Sequence, residues 1–182
     1  MMANLYGDFV KGKDYSYLPE IIQSGVLLHR QIDDFIDNHE AIKQLRLKLY
    51  KDLPKIAGIA IDLYMDHCLA KNWDRYYSKN LSDFLATFFN YALKTKNHFF
   101  INPDFQYPSD FINLLSTIEQ QEWIQNYKHH EGLSFACNGL SRRLSFSNNL
   151  HEAPKFYKKN EQLINHVFFI FINDAIKKFN HL

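Results

Sequence analysis

A chain of 182 residues is the size of one ordinary domain and is long enough to bury a good core. Apolar residues make up 46% of it, which excludes disorder, and a formal net charge of +1 gives no general electrostatic case for nucleic acid. Two cysteines, Cys68 and Cys137, are too few and too far apart for a disulfide framework or a zinc knuckle; they read as small buried hydrophobes in a reducing compartment. No charged n-region leads into an apolar h-region, and the most apolar run, Val167 to Ile172, is far too short for a bilayer. These features predict a soluble, cytoplasmic protein with no membrane partner.

Strand signals are scarce along the chain, Gly and Pro number only 6 and 5, and helical periodicity recurs throughout, so the fold class predicted is all-α in a single domain over 1–182. The opening Ala3 to Gly12 is a short segment in which Asp8 interrupts apolar residues. Pro19 suits a helix first turn, and the helix it opens should run from about Leu18 to Asn38. Glu40, Lys43, Arg46, Lys48 and Lys51 alternate with Ile42, Leu45 and Leu49 in an amphipathic helix ending near Pro54. The next helix starts at Ile56, is apolar nearly all round, and closes at Lys71–Asp74; it should be central. Another begins at Leu81–Asp83, with Phe84, Leu85, Phe88, Phe89 and Ala92 as its apolar side.

Asn102 to Pro108 is the clearest loop. Ser109 and Asp110 can cap a helix from Phe111 to about Ile118, and Glu119 to Tyr127 forms another short one. Leu133 to Arg143 ends in a tandem arginine, either a solvated end favouring the helix dipole or a phosphate grip. After a turn at Ser147–Asn149, a last helix runs from Pro154 with Phe156, Leu163, Val167, Phe171, Ala175 and Ile176 inward.

Two segments break the apolar pattern with the same residue types. At about 3.6 residues per turn, His29 and Asp33 share the stripe of Leu18, Ile22, Gly25 and Ile36, which should face the core. Asp62 and Asp66, four apart, project together from the Ile56 helix, whose only other acidic or basic residue before Leu69 is His67. Carboxylates are rarely buried unless paired or bound to metal. Acid and imidazole on two apolar helices therefore suggest a metal site. The alternative is a satisfied His29–Asp33 core pair, with Asp62 or Asp66 capping a neighbour.

Ala3-Asn4-Leu5-Tyr6-Gly7-Asp8-Phe9-Val10-Lys11-Gly12, then Gly25 to Asp33 with Asp37 and His39, resemble the acyl carrier protein phosphodiesterases. So do Asp62 to Trp73 and Asn138 to Arg143, in the right order and over most of the chain. The His-Arg-x-Ile-Asp and Asp-x-x-x-Asp-His blocks are the specific part. The resemblance implies a compact helical bundle of the HD-domain-like type. It also implies a metal-dependent hydrolase that removes 4′-phosphopantetheine from holo acyl carrier protein. The expected ion is manganese, with magnesium or iron as alternatives. Matched positions make Asp8, His29, Asp33, Asp62, Asp66 and His67 the candidates.

On this reading Asp8, His29, Asp66 and His67 bind metal. Asp33 and Asp62 orient imidazoles or the attacking water, or are ligands themselves, and Arg30, with Arg142 and Arg143, holds phosphate. The acidic carrier would be steered by a basic surface, with Lys155, Lys158, Lys159, Arg46 and Lys48 as candidates. Family members usually begin with a further segment resembling Asn-x-Leu-Ala-His-x-x-Leu, and Ala3 stands where they tend to have Gly. The resemblance thus expects one more histidine ahead of Met1, from a start further upstream or lost from the site. Other readings are an HD-like phosphohydrolase acting on a nucleotide or small phosphoester, and a helical module that binds the carrier without turnover.

Overall fold

Helix starts and stops follow local chemistry closely in this computed structural model, which describes residues 1–94 and 105–180. In chain order the helices are α1 (Met2–Leu5), α2 (Glu20–Asn38), α3 (Glu40–Leu49), α4 (Ala57–Lys71), α5 (Leu81–Leu93), α6 (Ser109–Gln120), α7 (Trp123–Asn126), α8 (His130–Arg143), α9 (Ala153–Lys159) and α10 (Glu161–Phe179). Short 3-10 turns cover Tyr6–Phe9, Trp73–Arg75 and Leu150–Glu152. No strand occurs among the described residues, and the fold is all-α. No helix among them is long and apolar enough to cross a membrane.

Several boundaries differ from those expected, each for a physical reason. Pro19 stands just outside α2, its carbonyl accepting from the N–H groups of Ile22 and Gln23 at 2.8 and 2.9 Å. Helix α3 stops at Leu49, short of Pro54; Lys55 then takes a left-handed backbone with φ 67°. Asn80 caps α5 reciprocally: its Oδ1 accepts from the Asp83 N–H at 2.8 Å while its Nδ2 donates to the Asp83 carboxylate at 2.8 Å. Ser109 lies inside α6, whose first free N–H groups go to the Pro108 carbonyl. The helix expected over Glu119–Tyr127 is reduced to α7, because α6 continues to Gln120 and Glu122 is left-handed at φ 49°. The single last helix is two helices, since the Asn160 side chain donates back to the Phe156 carbonyl at 2.9 Å and ends α9. That break shifts the buried face to Tyr157, Ile164, Val167, Phe168 and Phe171, leaving Ile176 exposed. Of the loop expected over Asn102–Pro108, residues 102–104 lie outside the described residues; 105–108 are irregular.

The described residues group into two compact units, each drawn from two stretches of chain. Met1–Phe35 with Lys79–Glu122 contains α1, α2 as far as Phe35, α5 and α6. Within it α5 packs on α6, and Tyr6, Phe9, Tyr107 and Phe111 form an aromatic cluster with ring centroids 5.2–5.3 Å apart for Tyr6–Tyr107, Tyr6–Phe111 and Phe9–Phe111. Ile36–Ser78 with Trp123–Leu182 contains α3, α4 and α7 to α10. Here α4 is central, as its composition predicted, packing on α3, α8 and α10. Its Tyr64 is fully buried and donates its hydroxyl hydrogen to the Ala153 carbonyl at 2.6 Å. Cys68 and Cys137 are buried free thiols in this unit, and burial pushes them up to about 11 and about 12.

Candidate functional site

In the first unit, α1 with the following 3-10 turn runs alongside α2 with matched four-residue spacing. A Cβ on Gly25 would stand 2.5 Å from the Ala3 carbonyl carbon, so the two backbones meet there. One turn further along both segments, a Cβ on Gly7 would stand 2.6 Å from Cβ and Cδ2 of His29. Glycine at 7 lets the imidazole lie against the turn, and Nε2 then comes 3.3 Å from Asp8 Oδ1. Helical spacing supplies the other neighbour: Asp33 Oδ2 is also 3.3 Å from Nε2. The imidazole is largely covered, whereas the carboxylates of Asp8 and Asp33 are 79% and 60% exposed. Of that stripe Leu18 and Ile22 are buried, whereas Asp33 stands at the rim, where a carboxylate keeps its hydration.

Arg30, expected to hold phosphate, is engaged by its own unit. Its Nη2 donates to the Gly12 carbonyl at 2.6 Å and to the Val10 carbonyl at 3.3 Å, and its guanidinium lies 4.7 Å from the centre of the Tyr15 ring. It fastens the Val10–Tyr15 loop to α2. That loop turns through Gly12 at φ 78°, which glycine allows.

In the second unit, Asp62 and Asp66 stand one turn apart on α4, as their spacing required. Solvent reaches Asp66, yet the surrounding protein strips away much of its hydration. That desolvation, with the charge of Asp62 added, pushes its carboxyl up to about 7. His67 turns elsewhere. It is 3% exposed, packs edge-on against Tyr157, and donates from Nδ1 to the Tyr127 carbonyl at 2.5 Å. Burial holds its imidazole below the usual histidine range. Adjacent residues on a helix point about 100° apart, and the structure does not bring His67 to the Asp62–Asp66 face.

Arg142 and Arg143 end α8 on the surface, with no carboxylate partner among the described residues. Sequence reasoning missed Tyr127. Its carbonyl holds His67, and its phenol is pushed up to about 12 by burial and by Asp66 and Cys137, with Arg143 acting the other way. No group of three or more His, Cys, Asp or Glu side chains is placed to hold a metal ion among the described residues. The nearest approach is the imidazole of His29 between two carboxylates, at hydrogen-bond rather than coordination distances.

The sequence model of the family described as acyl carrier protein phosphodiesterase matches residues 1–175. A protein named acyl carrier protein phosphodiesterase from Yersinia enterocolitica is 26% identical over 169 residues, covering 90% of this chain and 83% of the relative. Those of the same name from Shigella boydii serotype 18 and Salmonella paratyphi A are 30% and 28% identical over 144 residues, covering 79% of this chain and 70% of each relative. No solved structure matches the chain. The chain belongs to the acyl carrier protein phosphodiesterase family.

Proposed function

We propose that this chain is a phosphoric diester hydrolase that removes 4′-phosphopantetheine from holo acyl carrier protein. Water supplies the oxygen that bonds to phosphorus, and the bond from phosphorus to the carrier's hydroxyl oxygen breaks. The products are the apo carrier and free 4′-phosphopantetheine. Membership of the family carries the reading, and in the fold Asp62 and Asp66, one turn apart on α4, supply two carboxylates on one face. Of the two, Asp66, whose carboxyl is raised by desolvation and by Asp62, would transfer a proton to the departing oxygen or from the attacking water. Arg142 and Arg143, exposed at the end of α8, offer guanidinium forks to phosphate oxygens. Arg30 contributes by fixing the loop that follows Asp8.

Asp8, His29 and Asp33 supply two carboxylates and an imidazole, a donor set that suits a divalent ion such as manganese, magnesium or iron. As the described residues stand, the two carboxylates lie against His29 Nε2 at 3.3 Å, and the three are not arranged as a coordination shell. When bound, such an ion makes hydroxide available near neutral pH and neutralises charge on phosphoryl oxygens. Gly7 keeps the His29 ring against the turn, and Ile22 and Val26 anchor the helix that carries it. Within the other unit, His67 donates to the Tyr127 carbonyl and so holds the chain between α7 and α8.

The test is side-by-side turnover of holo carrier protein, a generic phosphodiester and a nucleotide, with added manganese. Preference for the holo carrier supports the reading. Hydrolysis of the small substrates alone would move the chain to general phosphohydrolases.

A further inference from the structure

Helix α3 buries one face and turns a basic one outward. Ile42, Leu45 and Leu49 are buried where α3 packs on α4 and α10. On the opposite crest Lys43, Leu47 and Lys51 follow one another at four-residue spacing, each one turn above the last. The turn continues past the end of α3, since Tyr50 is right-handed and the Leu53 N–H donates to the Leu49 carbonyl at 2.8 Å. Leu47 is 67% exposed at the middle of that row, and Tyr50 beside it is 56% exposed.

Charge gathers on the same stretch. Residues 43–55 hold five cations, Lys43, Arg46, Lys48, Lys51 and Lys55, against one acid, Asp52; that is +4 in a chain whose formal net charge is +1. The rest of the chain is acidic on balance. Arg46 is engaged by the fold: it bonds Asp37 at 2.8 Å, and a Cβ on Gly58 of α4 would stand 3.7 Å from its Nε. The four lysines are exposed, with no carboxylate at ion-pair distance among the described residues. Lys55 is moreover held in the left-handed region at φ 67°, which glycine adopts freely and lysine does not. No ion pair among the described residues offsets that strain, so the fold itself gives no reason for a lysine there.

We propose that this crest is a peripheral docking surface for an anionic lipid bilayer. The lysine ammonium groups meet the lipid phosphates, while their methylene stems, Leu47 and Tyr50 enter the boundary between headgroups and acyl chains. No helix among the described residues can cross a bilayer, so the contact lies in the plane of the headgroups. It departs from the expectation of no membrane partner. An acidic protein surface fits less well, because carboxylates are matched by guanidinium forks and Arg46 is already engaged. The inference is independent of the proposed hydrolysis.

The experiment sediments the full chain with vesicles of phosphatidylglycerol and phosphatidylcholine in equal parts, and with vesicles of phosphatidylcholine alone, at low and high salt. Melting temperature and helicity are recorded for every variant. Wild type should bind the anionic vesicles, leave the neutral ones, and come off as salt rises. Lys43→Gln with Lys51→Gln should weaken binding about tenfold at low salt. Leu47→Ser changes no charge and should weaken it several-fold, which a purely electrostatic contact would not show. Lys55→Gly should melt higher than wild type yet bind more weakly. Lys158→Glu with Lys159→Glu removes more net charge than the two glutamines do, but should bind as wild type does. No binding by wild type, or equal binding by every variant, overturns the surface. Equal losses in the two lysine pairs would mean that net charge rather than this crest attracts the bilayer, and overturn it too. Soluble poly-glutamate stands in for an acidic protein: its capture through Lys43 and Lys51 while vesicles are ignored would overturn the lipid assignment.

Discussion

Gly7 lies flat against the imidazole of His29, so close that a methyl group at position 7 would overlap the ring. This contact sets the height at which Nε2 meets Asp8 and Asp33. Gly7→Ala should push the ring off the turn and break that arrangement. Overpacking of this kind costs about 1–3 kcal/mol, and turnover should fall at least about tenfold as the geometry shifts. Thermal melts and steady-state kinetics check both, and unchanged kinetics would mean that His29 is not held by this contact.

Asp66 gives a prediction with a definite sign. Its folded pKa of about 7 lies above the unfolded carboxylate value of about 3.9. The folded state therefore binds the proton more tightly, and stability falls as pH rises from about 4 to about 7. Asp66→Asn removes that loss. Because solvent reaches the carboxyl, the gain above pH 7 should be about 1 kcal/mol rather than the full shift, or about 2–4 °C in Tm. The two proteins should melt together near pH 4. Melts in the presence of a chelator at both pH values test this, and identical curves at pH 8 would contradict it. The same variant should lose turnover.

Tyr64 is a structural counterpart. Its hydroxyl reaches the Ala153 carbonyl from the middle of α4, with no solvent to replace it. Tyr64→Phe leaves that carbonyl without its donor and should cost about 1–3 kcal/mol in chemical denaturation. Kinetic constants of the folded fraction should not change.

Helical content was legible because sparse Gly and Pro leave long periodic runs, and α4 was legible as the centre because apolar residues surround it. The direction of its polar residues was not. A helix apolar all round gives no phase, so Asp66 and His67 looked like partners, although adjacent helical residues diverge and His67 goes to the Tyr127 carbonyl. A backbone acceptor has no residue type to read, which also hid Tyr127. The stripe containing His29 was correctly phased at Ile22, but Asp33 lies where the apolar covering has ended. The breaks at Glu122 and Asn160 came from a left-handed backbone and a side chain folding back, neither marked by Gly or Pro.

On the proposed function, the acidic carrier would be steered by exposed cations. Lys155 is 2.7 Å from Glu152 and Arg46 is 2.8 Å from Asp37, whereas Lys158 and Lys159 end α9 exposed. Lys158→Glu with Lys159→Glu should raise KM for the carrier several-fold at low salt and leave kcat unchanged, and the difference should fade as salt rises. A flat salt response in both proteins would remove electrostatic steering from the account.

The most direct measurement is mass spectrometry of holo acyl carrier protein incubated with this protein and manganese, beside a chelator-treated sample. The account predicts that the carrier loses the mass of its 4′-phosphopantetheine group only when manganese is present, with the freed group appearing in solution. A carrier that keeps its prosthetic group in both samples would contradict it.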